Sequence, residues 1–473
     1  MPSRDAPSDR VRVAILRDFS EEGWASMNLV AEMLADRLHG EHAREFDSEL
    51  LCPEYRRRAG CVPWLGRSRL AANMDRYLNR WHTYPRFVAR RSGQFDLFHV
   101  SDHSYAHLVH DLPADRTTVF CHDVDAFRCL LHPEREPRPW WFRRMMRRVL
   151  TGLQQAAIVF YSTESVREQI LAAGLVEPER LVAAPYGTSP EFTPQPHETD
   201  ATVVSKLTGR AVRPYLLHVG SCIPRKRIDV LLDVFAAVRQ QRADLQLVQI
   251  GGEWTGDQLV QLHRLGLQDD VAQVRGIDRC QLAALYRRAE LVLQTSEAEG
   301  FGLPVIEALA CATVVIASDL DVLREIGGEA VVYCPVGDVP RWSHTVRQVL
   351  DGERTPCVEA RVSQARRFSW SNHAQVIADT WRALGSRSQV QSPIGDLHPV
   401  PSPPSSGERA RVRGPSGEDH SKNRKDVRPK SSPSSQPLVP ISPPHPNPLP
   451  PKAGGEGTGS GDHQWATSSA GLQ

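Results

Sequence analysis

Eleven short apolar runs alternate with amphipathic stretches through most of this 473-residue chain, and that alternation leaves few folds open to it. Residues 11–16, 95–100, 117–121, 157–161 and 181–184 form a first set. Residues 215–219, 245–250, 271–274, 291–294, 314–317 and 330–333 form a second. Uninterrupted Val, Ile and Leu in strands separated by helices mean parallel sheets covered on both faces. Eleven strands are too many for one ordinary doubly wound sheet, so the pattern predicts an α/β chain with two Rossmann-like domains. The expected boundaries are 1–195 for the first domain and 196–388 for the second, with the polar stretch 193–214 as linker. A helix near residues 370–384 closes the globular part.

Beyond Ser388 the composition changes. Residues 391–473 hold 16 of the chain's 36 prolines and one aromatic, Trp465. Such a segment cannot bury enough apolar surface to offset its ordering entropy, so 389–473 is expected to be a disordered tail. A polyproline II ligand for a partner domain is the alternative. The 57 basic and 56 acidic residues leave a net charge of +1, and no bulk field points to nucleic acid. Nine scattered cysteines without a Cys-X-X-Cys pair argue against a disulfide framework and a zinc site. No apolar run approaches the ~20 residues needed to span a bilayer, and the N-terminus lacks a signal-peptide core. The expected location is cytoplasmic.

The chemistry concentrates in Ser296-Glu297-Ala298-Glu299-Gly300-Phe301-Gly302-Leu303-Pro304-Val305-Ile306-Glu307. A buried strand leads into a glycine turn and then an apolar helix, whose free N–H groups and positive dipole end suit a phosphate. Glu299 and Glu307 would lie beside that phosphate as acceptors for hydroxyls. A phosphate flanked by polyols describes a sugar nucleotide. A second loop, His218-Val219-Gly220-Ser221-Cys222-Ile223-Pro224-Arg225-Lys226, again joins a strand to an apolar helix. Cations fixed at such a junction can stabilise the charge on a departing diphosphate.

These runs, with Ser318-Asp319 and Glu325-Ile326-Gly327-Gly328, resemble the glutamate-pair motif of retaining glycosyltransferases of family 4, which have the GT-B fold. The resemblance implies two Rossmann-like domains facing a cleft, with the final helix crossing back onto the first domain. It implies transfer of a hexose from a nucleotide diphosphate sugar to a hydroxyl of a glycan or lipid-linked acceptor. The Pro-Arg-Lys loop leans toward mannosyltransferase-like members. Glu299 would face the donor sugar, Glu307 the ribose, and Lys226 with Arg225 the leaving diphosphate. Gly276 and Ile277 would lie near the base, while the amides of Phe301, Gly302 and Leu303 would meet sugar or phosphate oxygens. His122, in Phe120-Cys121-His122-Asp123, would contact a sugar hydroxyl or organise the acceptor. Gly23 alone keeps the character of the family's glycine-rich first loop, and Tyr186 replaces an asparagine.

Other readings stay open. Asp102 and His103 are acceptor contacts or simple loop caps. Asp123-Val124-Asp125 and Asp319-Leu320-Asp321 spell Asp-X-Asp, yet fall in segments matched to metal-free landmarks, so no metal or cofactor beyond the donor is expected. Ala312 stands where relatives carry glycine, which is free of strain only at negative φ. Residues 138–150 combine arginines with Trp and Met on a helix, to be read either as a contact with the inner face of a membrane or as a core-packed helix with a solvated basic face. A catalytically inactive sugar-nucleotide-binding subunit and a GT-B epimerase or phosphorylase are the rival functions.

Overall fold

The computed structural model describes residues 10–23, 25–61, 68–209 and 213–390. The expected tail beyond residue 390 lies outside the described residues. Twelve strands form two six-stranded sheets in which all pairings are parallel. The first contains β1 (Val11–Leu16), β2 (Phe46–Leu51), β3 (Leu97–Val100), β4 (Thr117–Cys121), β5 (Ile158–Tyr161) and β6 (Leu181–Ala183), in the order β2-β1-β3-β4-β5-β6. The second contains β7 (Tyr215–Val219), β8 (Gln246–Ile250), β9 (Val271–Val274), β10 (Leu291–Gln294), β11 (Val315–Ser318) and β12 (Val332–Cys334). Its order, β12-β11-β10-β7-β8-β9, is that of a Rossmann sheet. Chain order reverses between β1 and β3 in one sheet and between β7 and β10 in the other. A crevice opens at the carboxyl ends of such strand pairs, because their crossovers leave on opposite faces.

β2 escapes a search for apolar runs because it is an edge strand. Phe46, Ser48 and Leu51 are buried, whereas Asp47 and Glu49 face out, giving alternation rather than a continuous run. The predicted linker also differs. It folds into a helix at Asp200–Thr208 that packs on the helix Arg279–Arg288. Arg287 grips both oxygens of Asp200 at 2.7 Å, pinning this helix to the second domain.

The last helix, Trp370–Val390, lies against the first sheet. Trp381 is 5.6 Å from the Phe46 ring, and its indole N–H donates to Thr118 at 3.3 Å. Trp370 stacks on Tyr186, which also meets Phe301 from the second half. One apolar cluster therefore runs through both domains, from Val13 and Phe160 to Val292 and Phe301. Burial of these rings gives the two halves a common core.

The helix Leu303–Ala310 ends in a Schellman turn: Ala312 N–H donates to Leu309 and Thr313 N–H to Ala308, at 3.0 and 2.9 Å. That geometry puts Ala312 at φ +59, the left-handed region in which Cβ meets the following carbonyl. Glycine would relax it. Ala312→Gly is expected to stabilise the protein by about 1 kcal/mol, read as a higher urea midpoint at constant m-value. A lower midpoint would mean that the alanine is not strained.

Candidate active site

The loops after β7 and β10 face each other across the reversal point of the second sheet, and the backbone stitches them together. Glu297 N–H donates to the Arg225 carbonyl at 2.8 Å, and Thr295 Oγ1 to the Lys226 carbonyl at 3.0 Å. Between them sits Glu299, its side chain 5% exposed. Lys226 Nζ, Gln294 Nε2 and Ser296 Oγ all donate to Glu299 Oε1 at 2.6 Å. Burial alone would raise this carboxyl, but the Lys226 charge and these donors hold it below the usual carboxylate range. Oε2 accepts no hydrogen bond among the described residues, with Arg225 Nη1 at 3.7 Å. One oxygen is thus spent on holding the side chain, and the other can still accept a hydrogen bond.

Glu307 repeats the arrangement one helical turn inside Leu303–Ala310. Tyr286 donates its hydroxyl to Oε2 at 3.0 Å, and no protein group among the described residues bonds Oε1. Burial pushes its carboxyl up to about 7, with the Tyr286 hydrogen bond pulling back. Gly302 caps this helix at φ +103, where a Cβ would meet Leu323 and Ile326 at 2.8 and 2.9 Å. Leu303 follows as the first helical residue. Phe301 turns inward, 4.8 Å from the Tyr186 ring. Gly276, at φ +66 and exposed, ends the turn after β9 beside the half-buried Ile277.

His122, at the carboxyl end of β4, approaches this loop from the first sheet. A Cβ on Gly300 would lie 2.5 Å from the His122 carbonyl oxygen, so only glycine permits the contact. Ser162 and Thr163 donate to the Gly300 carbonyl at 3.4 and 3.3 Å. Glu325 accepts from the free N–H groups of Glu164 and Ser165, at 2.8 and 3.3 Å, where the helix Glu164–Ala172 begins. Both ring nitrogens of His122 have protein partners: Nε2 donates to the Ser101 carbonyl at 2.7 Å, and Nδ1 accepts from the Tyr186 hydroxyl. Burial lowers its pKa and keeps the ring neutral, with Asp102 opposing.

Gly23 is far from a glycine-rich loop. It ends a single turn, Ser20–Glu22, at φ +77. Asp102 does act as a cap, accepting from the Ser104 N–H at 2.7 Å and its hydroxyl at 2.9 Å. His103 accepts from the His122 N–H at 3.3 Å. Asp123 accepts from the Asp125 N–H at 3.0 Å, and Asp319 is taken up by Arg324. Trp140 and Trp141 are 74% and 52% exposed, so these two aromatics do not pack in the core.

Three residues of this region were given no role by the sequence. His218, in β7, is fully buried below Lys226 with neither ring nitrogen bonded. Burial and the Lys226 charge push its pKa down to about 3. Tyr186 joins His122, Phe301 and Trp370. Asp18, after β1, sits beside Asp102, after β3, at the reversal point of the first sheet. Burial and then the Asp102 charge push its carboxyl well above the usual range. Orphaned buried polar atoms gather there on Asp18, Ser101, His103 and Tyr105.

Comparison with known proteins bears on the family and the fold. Residues 206–367 match the family model of glycosyl transferases group 1. The chain is similar to O-antigen chain mannosyltransferase B of Escherichia coli, 28% identical over 275 residues, covering 57% of this chain and 71% of that protein. It is also similar to the D-inositol 3-phosphate glycosyltransferase of Mycolicibacterium smegmatis, 29% identical over 269 residues. There the match covers 55% of this chain and 59% of that protein. Among solved structures, Anabaena HepE in complex with UDP and glucose superposes with a TM-score of 0.58 at 17% identity, covering 79% of this chain and all of that one. Sucrose-phosphate synthase from Thermosynechococcus elongatus gives 0.61 at 20% identity, covering 80% of this chain and all of that one. Two Rossmann-like sheets with a glutamate pair at the reversal point of the second give this chain the GT-B fold, and its similarity to the group 1 glycosyl transferases spans residues 206–367, which hold that pair.

Proposed function

We propose that the protein transfers a hexose, with mannose the favoured one, from a nucleotide diphosphate sugar to a hydroxyl of a glycan or lipid-linked acceptor, with retention of configuration. The observation that carries this reading is the Glu299 carboxylate, held on one oxygen by Lys226, Gln294 and Ser296 with the other oxygen open. Glu307 would accept the ribose hydroxyls, Gly276 and Ile277 would border the base, and Glu299 Oε2 would accept a sugar hydroxyl. Lys226 and Arg225, with the amides of Phe301, Gly302 and Leu303, would meet the diphosphate. In this reading no cofactor is needed beyond the donor. As the bond from the anomeric carbon to the diphosphate oxygen breaks, its electron pair stays on that oxygen beside Lys226. The acceptor oxygen then bonds the anomeric carbon on the same face, and its proton passes to the departing phosphate.

The acceptor would lie along the carboxyl ends of β1 and β3, where Ser101 Oγ, His103 Nε2, the Tyr105 hydroxyl and the Asp18 carboxyl have no hydrogen-bond partner among the described residues. His122, neutral and held on both nitrogens, would shape that surface from its strand end. The similarity to O-antigen mannosyltransferase B supports mannose and a polysaccharide product. Among the described residues no helix is long and apolar enough to cross a membrane. A cytoplasmic enzyme resting Trp140, Trp141 and the arginines of residues 138–150 on the inner membrane face fits a lipid-linked acceptor.

Lys226→Ala should cut turnover by roughly two orders of magnitude, the scale of one charge-stabilising group; an unchanged rate would remove Lys226 from the site. Titration with GDP-mannose, UDP-glucose, UDP-GlcNAc and ADP-glucose should raise the melting temperature with one donor, and Glu307→Ala should abolish the shift. Binding without turnover across a broad acceptor panel would instead mark a sugar-nucleotide-binding subunit.

Ribose hydroxyls donate to an ionised Glu307, whose carboxyl sits at about 7 in the unliganded protein. Nucleotide affinity should therefore rise about tenfold from about pH 6 to pH 8, flattening in Glu307→Gln. Without ligand the sign reverses. The raised carboxyl adds stability below its unfolded value of 4.5 and loses it as pH climbs through about 7. The loss amounts to about 3 kcal/mol. Denaturant melts of both proteins between about pH 5 and pH 8 would show this, and parallel profiles would refute it. Gly300→Ala should push the His122 strand end away from the glutamate loop and lower turnover by about 100-fold, with nucleotide binding unchanged in calorimetry. Normal turnover would mean that the contact is dispensable.

A further inference from the structure

A cavity lies in the first domain, outside the site described above. It holds about 610 Å³ and is lined by Pro53, Glu54, Arg56, Arg58, His82, Thr83, Arg86, Phe87, Arg90 and Arg91. Two segments build it: the chain leaving the carboxyl end of β2, and the π-turn Asn79–Thr83 running into the helix Tyr84–Arg91. Five guanidiniums face one carboxylate.

Their partners make the imbalance sharper. Arg91 is compensated by Glu49, at 3.0 and 3.2 Å. Arg56, Arg58, Arg86 and Arg90 form no ion pair among the described residues, unlike Arg12, Arg148, Arg239 and Arg287 elsewhere in the fold. Two of the four are oriented by neutral groups: Arg58 donates to Thr83 Oγ1 at 3.4 Å, and Arg86 to the His82 carbonyl at 3.2 Å. Four unpaired cations around one bowl repel each other. A compact anion with several oxygens relieves that repulsion and takes the planar N–H forks in pairs. The volume is that of a small-molecule site, far larger than an ion with its water shell needs.

The bowl also borders the acceptor side. The π-turn that supplies His82 and Thr83 carries Arg80, whose guanidinium reaches Glu22 of the first loop at 3.4 Å. Tyr55, from the segment that supplies Arg56, packs edge-on against Phe19 of that loop at 5.4 Å. Behind the loop stand Asp18 and the unpartnered groups after β3.

We infer that this arginine bowl is a binding site for the phosphate of a phosphate-bearing acceptor, whose hydroxyl-bearing end extends past the first loop to the site. The inference rests on the transferase reading for its acceptor, but the anion site itself can be measured separately. The phosphate can belong to a soluble phosphorylated glycan or to a lipid head group.

The test titrates inorganic pyrophosphate into the full chain by calorimetry, alongside Arg86→Ala/Arg90→Ala and Lys226→Ala. Both arginines are exposed on one helix, where alanine preserves folding. Wild type should show two binding events, one at this bowl and one at the loop after β7. The double variant should weaken one event by about tenfold or more, as two charged hydrogen-bonding groups are lost, while keeping the affinity for the nucleoside diphosphate that the donor panel selects. An isotherm superposing on wild type overturns the proposal. Failure of the donor site reads differently, as an unchanged nucleoside diphosphate affinity in Lys226→Ala. Cosedimentation with phosphatidylglycerol but not phosphatidylcholine vesicles, lost in the double variant, assigns the phosphate to a lipid head group. Lost pyrophosphate binding with vesicle behaviour unchanged assigns it to a soluble glycan.

Discussion

A carboxylate taken out of water is the constraint around which the second domain is arranged. Glu299, with its side chain 5% exposed, would be neutralised by burial alone. It stays charged because three donors from two adjacent strand ends converge on one oxygen. Leaving a buried charge unpaired costs several kcal/mol, roughly 3–5 when a partner is removed, so the loops after β7 and β10 are bound to each other by this group. The same pairing holds Lys226 beside the glycine turn, where the diphosphate of the proposed donor would compete for it. Structure and chemistry draw on one interaction here.

The first sheet reaches that centre through main chain rather than side chain. Gly300 lies against the His122 carbonyl, and Glu325 closes the start of the helix Glu164–Ala172. Around these contacts Tyr186, Phe301, Trp370 and His373 form a ring cluster fed from both halves. The approach of the two domains is thus set by a hard steric limit at one glycine and by apolar packing behind it. The long helix at the end of the chain fixes the packing, because Trp370 and Trp381 are buried against the first sheet.

The two sheets use their reversal points for opposite chemistry. In the second, cations and helix N–H groups face a glutamate pair, which suits a diphosphate carrying polyols. In the first, Asp18 and Asp102 share a buried corner with hydroxyl and imidazole groups that lack partners, which suits hydroxyls. The arginines beyond the first loop add positive charge at the outer edge of that same rim.

The sequence alone determined the parallel α/β class, two domains and the position of the glutamate and lysine loops, because these are local properties. A strand buried on both faces reads as a continuous apolar run, and a phosphate-ready helix start needs its glycines beside it in the chain. β2 was hidden because an edge strand alternates, and the helix Asp200–Thr208 because its polar face is legible only once Arg287 supplies a partner. Ala312 showed as a departure in the sequence, but its positive φ came from the turn that encloses it. What only the tertiary structure decided depends on groups far apart in the chain. Examples are the single open oxygen of each glutamate, the two engaged nitrogens of His122, the Asp18–Asp102 corner and the unpaired arginines. Hydrogen-bond satisfaction and charge compensation are sums over neighbours in space, and a sequence lists only neighbours along the chain.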